Sequence, residues 1–146
     1  MNTVFQWLTE GDVDMPSLDF GFVERWICEV ALRHGFTARE LTYIFCDDSR
    51  IIDVNRQFLQ HDYYTDIITF DYTRGKLLRG DMYISLDTVR TNSELVLQPY
   101  DKELLRVIIH GILHLCGIND KGPGEREIME ANEEDALTLY NKLSDV

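Results

Sequence analysis

LLRVIIHGILHLCGIND, residues 104–120, is the stretch around which the rest of the chain is read. It sets His110 and His114 four residues apart in a run that is otherwise almost wholly apolar. Side chains at i and i+4 share one face of an α-helix, and the same geometry carried backwards puts Arg106 and Glu103 near that face. A helix that is apolar nearly all round is a buried helix. Two imidazoles buried side by side are costly unless something satisfies them, and a shared metal ion does so. Gly117 supplies the left-handed conformation at which helices commonly end, so the chain can fold back and bring Asp120 towards the histidines. The pattern is H-x-x-x-H-x-x-G-x-x-D. The plainer alternative is a pair of core histidines bonded to backbone. The paired spacing, the helix-ending glycine and the oxygen donor after it favour a metal held by His110, His114 and Asp120.

Outward from this helix, periodicity divides the chain into alternating elements. VFQWL (4–8) reads as an edge strand. Asp19 caps a helix to about His34, stopped by Gly35. ELTYIFC (40–46) alternates as a strand, and a helix follows Asp47–Ser49 to about Leu59. A β-branched strand covers Ile67–Phe70, TRGKLLRG reads as a hairpin-like connection, and DMYIS (81–85) as its partner strand. Leu86–Leu97 is expected to be helical, and Pro99 marks the boundary before the buried helix. Pro123 opens an acidic final helix to about Leu143, with Ile128, Ala131, Ala136, Leu139 and Leu143 as its apolar positions. The predicted fold is α+β, a small four-stranded mixed sheet packed with about five helices, in one domain spanning residues 1–146.

Composition narrows the function. The acidic start lacks a basic segment leading into an apolar run, so no signal or transit peptide is expected. No stretch is long and apolar enough for a membrane span, and a cytoplasmic protein is expected. Three scattered cysteines with no C-x-x-C pair read as reduced thiols and exclude a zinc ribbon. A net charge of −12 argues against gripping nucleic acid by bulk electrostatics. The excess is uneven, because residues 67–116 carry six acidic and six basic side chains. No glycine-rich phosphate loop follows a strand, which removes the common nucleotide-binding classes.

Two histidines and a carboxylate leave a coordination position open on a tetrahedral ion, the mark of a catalytic rather than a structural site. A metal there makes water a usable nucleophile near neutral pH and polarises a phosphoryl or carbonyl oxygen, so hydrolysis is the natural reaction class. Metzincin proteases place a glutamate base directly after the first histidine. Here that position is Gly111, which moves no proton and counts against proteolysis.

HGILHLCGIND (110–120) is similar to the signature H-G-x-L-H-L-x-G-x-D-H. VNRQFLQHDYYTDIITF (54–70) is similar to L-N-x-x-[YF]-…-T-D-V-L-S-F, and GDMYIS (80–85) to G-D-[IL]-x-I-S. On these three blocks, in the same order and spacing, the chain resembles the YbeY family of bacterial rRNA maturation factors. The resemblance implies a cytosolic, metal-dependent endoribonuclease acting on single-stranded RNA, chiefly in maturation of the small-subunit rRNA. It implies that His110 and His114 serve catalysis as ligands of one divalent ion, usually zinc. It also implies work in the context of the ribosome, with a ribosomal or GTPase protein as a candidate partner. The family's third ligand is a histidine, and alignment on Gly117 puts Asp120 there, an oxygen donor of harder character. An arginine of the family falls on Leu59 here. His61 and Arg56 are the candidates to take over its task, unless RNA is held differently, and Arg106, one turn before His110, is a further candidate substrate contact beside His61. His61 is otherwise an exposed loop histidine, and Arg106 a partner of Glu103 or Asp101. Thr65 and Asp66 either line the cleft and orient a ligand or stabilise the turn into the next strand. Tyr63, Tyr64 and Tyr72 either stack on unpaired bases or pack on the sheet. A non-catalytic assembly factor whose metal braces the fold is the alternative from another class.

Overall fold

A computed structural model describes residues 3–59 and 65–145. The elements are β1 (Val4–Thr9), α1 (Phe20–Arg33), β2 (Thr37–Cys46), α2 (Asp48–Val54), a π-helical turn (Asn55–Leu59), β3 (Ile67–Asp71), β4 (Leu77–Ser85), α3 (Leu86–Leu95), α4 (Tyr100–Leu115) and α5 (Glu125–Ser144). The expected α+β class and mixed four-stranded sheet are what is found. The strand order is β1-β2-β4-β3. β1–β2 and β2–β4 pair in parallel, and β3 pairs antiparallel to β4 at the sheet edge.

Local chemistry explains the helix starts. Asp19 accepts the Phe22 N–H at 3.1 Å, Asp47 accepts that of Arg50 at 2.8 Å, and the Ser85 hydroxyl that of Thr88 at 3.3 Å. Each satisfies a donor that the first turn leaves without an intrahelical partner. Gly35 and Gly117 take φ of +82° and +90° just past α1 and α4, the left-handed stops expected of them.

Several boundaries differ from the periodicity. β4 begins at Leu77 rather than residue 81, so most of KLLRG belongs to a strand and the hairpin turn is confined to Thr73–Lys76. Arg79 and Gly80 suggested a loop. In the sheet, Gly80 lies where an added Cβ would come within 2.8 Å of the Phe70 carbonyl oxygen, so the glycine permits close strand approach. The helix expected to reach Leu59 changes to a π turn after Val54. α3 stops at Leu95, and Leu97 turns the chain with φ of +55°. α5 starts at Glu125, after Pro123 and a left-handed Gly124. Its buried side chains are Met129, Glu133, Ala136, Leu137 and Leu139, so the expected Ala136 and Leu139 face the core and Leu143 is half-buried. Ile128 (57% exposed) and Ala131 face out, and the first half of the stripe runs through Met129 and Glu133 instead.

Alternation along the strands puts one sheet face under α1, α4 and α5. Leu41, Tyr43, Phe45, Leu78, Met82 and Ile84 point into that core. A smaller cluster of Cys46, Ile51, Val54 and Ile68 lies under α2 on the opposite face. α4 runs through the main core, with Leu104, Ile108, Ile109, Ile112 and Leu113 fully buried. The buried Tyr43 hydroxyl donates to the Ile108 carbonyl at 2.8 Å, fixing the helix against β2. Trp26 donates its indole N–H to the Ala136 carbonyl at 2.7 Å, fixing α5 against α1. These two anchors hold the helices that carry the site.

Candidate metal centre

His110 and His114 project from the last turns of α4, their ring centroids 4.6 Å apart and their planes nearly perpendicular at 83°. After Gly117 the chain folds back and delivers Asp120. Its Oδ2 lies 3.3 Å from His110 Nε2 and 3.6 Å from His114 Nε2. One donor atom from each of the three residues falls within 4.8 Å of the others. Ligands about 2.0–2.1 Å from a tetrahedral zinc stand roughly 3.3 Å from one another, so the spacing fits a shared ion. The three side chains are only partly exposed, at 15%, 29% and 24%.

A fourth residue, which sequence reasoning missed, completes the centre. Glu133 of α5 accepts a hydrogen bond from His110 Nδ1–H at 2.6 Å and is itself 4% exposed. A carboxylate on Nδ1 fixes the tautomer, turns the Nε2 lone pair towards the cleft and makes it a stronger donor. Glu133 sits one turn from Met129 and one turn from Leu137, a carboxylate in the middle of an apolar stripe. That interruption is the signal in the sequence, and starting the stripe from Ile128 hides it.

Arg106 holds this arrangement from behind. Its Nε donates to Glu103 at 3.0 Å, its Nη2 also meets Glu103, and Nη1 donates to the second oxygen of Glu133 at 3.0 Å. The Glu103 hydrogen bond is the chief cause holding the guanidinium protonated far above its ordinary range. The expected ion pair of Arg106 with Glu103 is present. Asp66 lies 3.9 Å from the same guanidinium. Burial pushes its carboxyl up, opposed by Arg106 and His110. Burial also lowers the basicity of His114, and the neighbouring His110 adds to this while Asp120 opposes it.

The three donors open onto a cleft of about 640 Å³. β3 contributes Ile67, Thr69 and Asp71 to its wall, and Thr65, Asp66, Asn55 and Leu59 contribute from the segments before it. Leu59 therefore lies at the cleft. His61, Tyr63 and Tyr64 fall outside the described residues. Gly111 faces the core instead, where an added Cβ would meet Met82 Sδ at 2.8 Å and Ile67 Cδ1 at 3.0 Å. A larger residue there would require the Met82 and Ile67 side chains to shift, and the glycine itself supplies no protease base.

Glu133→Gln is expected to weaken metal binding by about 10–100-fold, the usual effect of losing the carboxylate behind a ligand histidine. Competition with a chromophoric chelator measures it. Unchanged affinity would mean that Glu133 only packs.

The family model for Endoribonuclease YbeY matches residues 19–141. An Endoribonuclease YbeY of Phocaeicola vulgatus is 62% identical over 138 residues, covering 94% of this chain and 99% of its own length. Another from Bacteroides thetaiotaomicron is 62% identical over 131 residues, covering 90% and 95%. The solution structure of a Thermotoga maritima protein shares the fold, with TM-score 0.64, 24% identity and coverage of 95% of this chain and 93% of its own.

Proposed function

The chain belongs to the YbeY endoribonuclease family, and from that premise we propose a metal-dependent endoribonuclease that cuts single-stranded RNA in rRNA processing, chiefly small-subunit rRNA maturation. His110, His114 and Asp120 hold one divalent ion, zinc, and the two histidines serve catalysis through it. The observation that carries this reading is the convergence of the three donors at an open cleft, with His110 already oriented by Glu133. A bound ion supplies charge stabilisation at the phosphoryl group and a nucleophile at neutral pH. The chain's own residues do the rest. Glu133 keeps the proton on His110 Nδ1, Arg106 keeps Glu133 in place, and Asp120 closes the donor set from the loop.

The net charge of −12 predicts weak affinity for naked RNA. The substrate is therefore presented within the ribosome, with a ribosomal or GTPase protein as partner, in the cytoplasm. Among the described residues no helix is long and apolar enough to cross a membrane.

The test compares cleavage of single-stranded RNA, duplex RNA and ribosomal particles, with and without chelator. Chelator-sensitive cutting of single strands, faster on particles than on free RNA, is the expected result. Equal rates on both would remove the presentation argument, and no cutting of any substrate would leave the assembly-factor reading. Product ends identify the nucleophile, a 5′-phosphate for water and a 2′,3′-cyclic phosphate for the 2′-hydroxyl.

A further inference from the structure

The cleft is poor in positive charge for a site that takes RNA. Asp66, Asp71, Asp120 and Glu125 all line it, and among its described lining residues Lys121 is the single lysine or arginine. Leu59, at the position where the family resemblance expects an arginine, presents an aliphatic wall. Each nucleotide entering brings a negative phosphate. One bound divalent ion can neutralise charge at a single phosphate, and the acidic wall repels its neighbours.

Lys121 is placed to answer this. It directly follows Asp120, so its backbone is set by the same turn that delivers that carboxylate to the histidines. On its other side Gly122 is tied down, its N–H donating to Glu125 Oε1 at 2.6 Å and its carbonyl accepting the Glu125 N–H at 3.1 Å. One oxygen of the Glu125 carboxylate is thereby engaged by backbone. The Lys121 side chain is exposed, lines the cleft with His114 and Asp120, and makes no ion pair among the described residues. A cation with a fixed backbone, no ion-pair partner among the described residues and a place beside the donor set is available to an anionic ligand.

We propose that Lys121 is the substrate-contacting cation of this cleft, its ammonium binding a non-bridging oxygen of the phosphodiester at or next to the bond that is cut. A lysine serves here as a point charge on a flexible stem, which tolerates any base and suits a site that follows the backbone rather than reading sequence. The inference rests on the reading of the cleft as an RNA site, and the experiment separates the two.

Binding of a 2′-O-methyl single-stranded oligonucleotide is titrated over a range of salt for the wild type, Lys121→Ala, Lys121→Arg and Lys142→Ala. Cleavage of the unmodified RNA is measured alongside. Lys142 lies near the far end of α5, and its replacement removes the same formal charge away from the cleft. Lys121→Ala is expected to weaken binding about tenfold, as for loss of a charge-assisted hydrogen bond. The slope of log affinity against log salt should fall by about 0.7, one phosphate contact on a single strand. Lys121→Arg should restore both, Lys142→Ala should change neither, and metal content should be the same in all four. A Lys121→Ala protein with wild-type affinity and slope would overturn the proposal. So would equal losses in Lys142→Ala, which would reduce the effect to net charge. If the wild type neither binds nor cuts RNA, the parent reading fails and takes this proposal with it.

Discussion

Replacing Arg106 with methionine should cost about 3 kcal/mol of stability, the lower end of the range for a buried ion pair that loses one partner. The size comes from the groups left behind. Glu103 and Glu133 are each 4% exposed, and the guanidinium bonds to both. Without it two carboxylates face each other inside the protein with no cation between them. The Arg106 side chain is 30% exposed, so water reaches part of the vacated space and keeps the cost from rising further. For a chain of this length, about 2–4 °C of melting temperature per kcal/mol gives a fall of roughly 10 °C. Arg106→Lys keeps the charge but loses the planar fork that spans both acids, and should lie between. Adding Glu103→Gln to Arg106→Met should recover part of the loss, because one of the stranded charges is gone. Thermal melts of the three variants decide it. A fall under about 2 °C for Arg106→Met would show that the acids neutralise by taking up protons, and that the network is not what holds α5 to α4.

That network also marks the limit of what the sequence discloses. The i+4 spacing of His110 and His114, and the glycine that turns the chain to Asp120, are local features, and local geometry carries them into the structure unchanged. Glu103 and Arg106 come from the same helical arithmetic. Glu133 does not, because it arrives from a helix packed across the domain, and no spacing along the chain connects it with His110. Its only trace is a charge in an apolar stripe, and that stripe is legible only in the right phase. Ile128 offers a false phase by being apolar and exposed. β4 reads too short for a related reason. Arg79 and Gly80 lack strand propensity, yet tertiary packing decides their state, with Arg79 paired to Glu40 at 2.6 Å and Gly80 accommodating the Phe70 carbonyl. Gly111 is legible as a missing base, whereas its packing reason, the side chains of Met82 and Ile67, is not.

Alanine at His114 or at Asp120 should empty the centre and reduce cleavage about a thousandfold or more. Charge stabilisation by a catalytic ion is worth several kcal/mol, and each 1.36 kcal/mol is a factor of about ten in rate. Both side chains are partly exposed, and neither belongs to the apolar core, so the fold should survive with unchanged circular dichroism. Metal content per chain, measured on protein purified without added metal, is expected to be about one for the wild type and near zero for both variants. Acid should have the same effect by another route. His114 has a folded pKa below its ordinary value, through burial first and His110 second. The unfolded chain then takes up that proton first, so this group's contribution to stability is complete above the ordinary histidine pKa and is lost as pH falls below it. Protons also compete with the ion for the imidazoles, and metal release should accompany the loss. An Asp120→Ala protein that keeps its ion would move the third ligand to water or to a residue outside those described, His61 among them. Chelation separates the two uses of a metal. The core around α4 closes on its own apolar contacts, so the stripped protein should remain folded, with a lower melting temperature and no activity. A stripped protein that unfolds would make the ion a brace, and the catalytic reading would yield to the assembly-factor one.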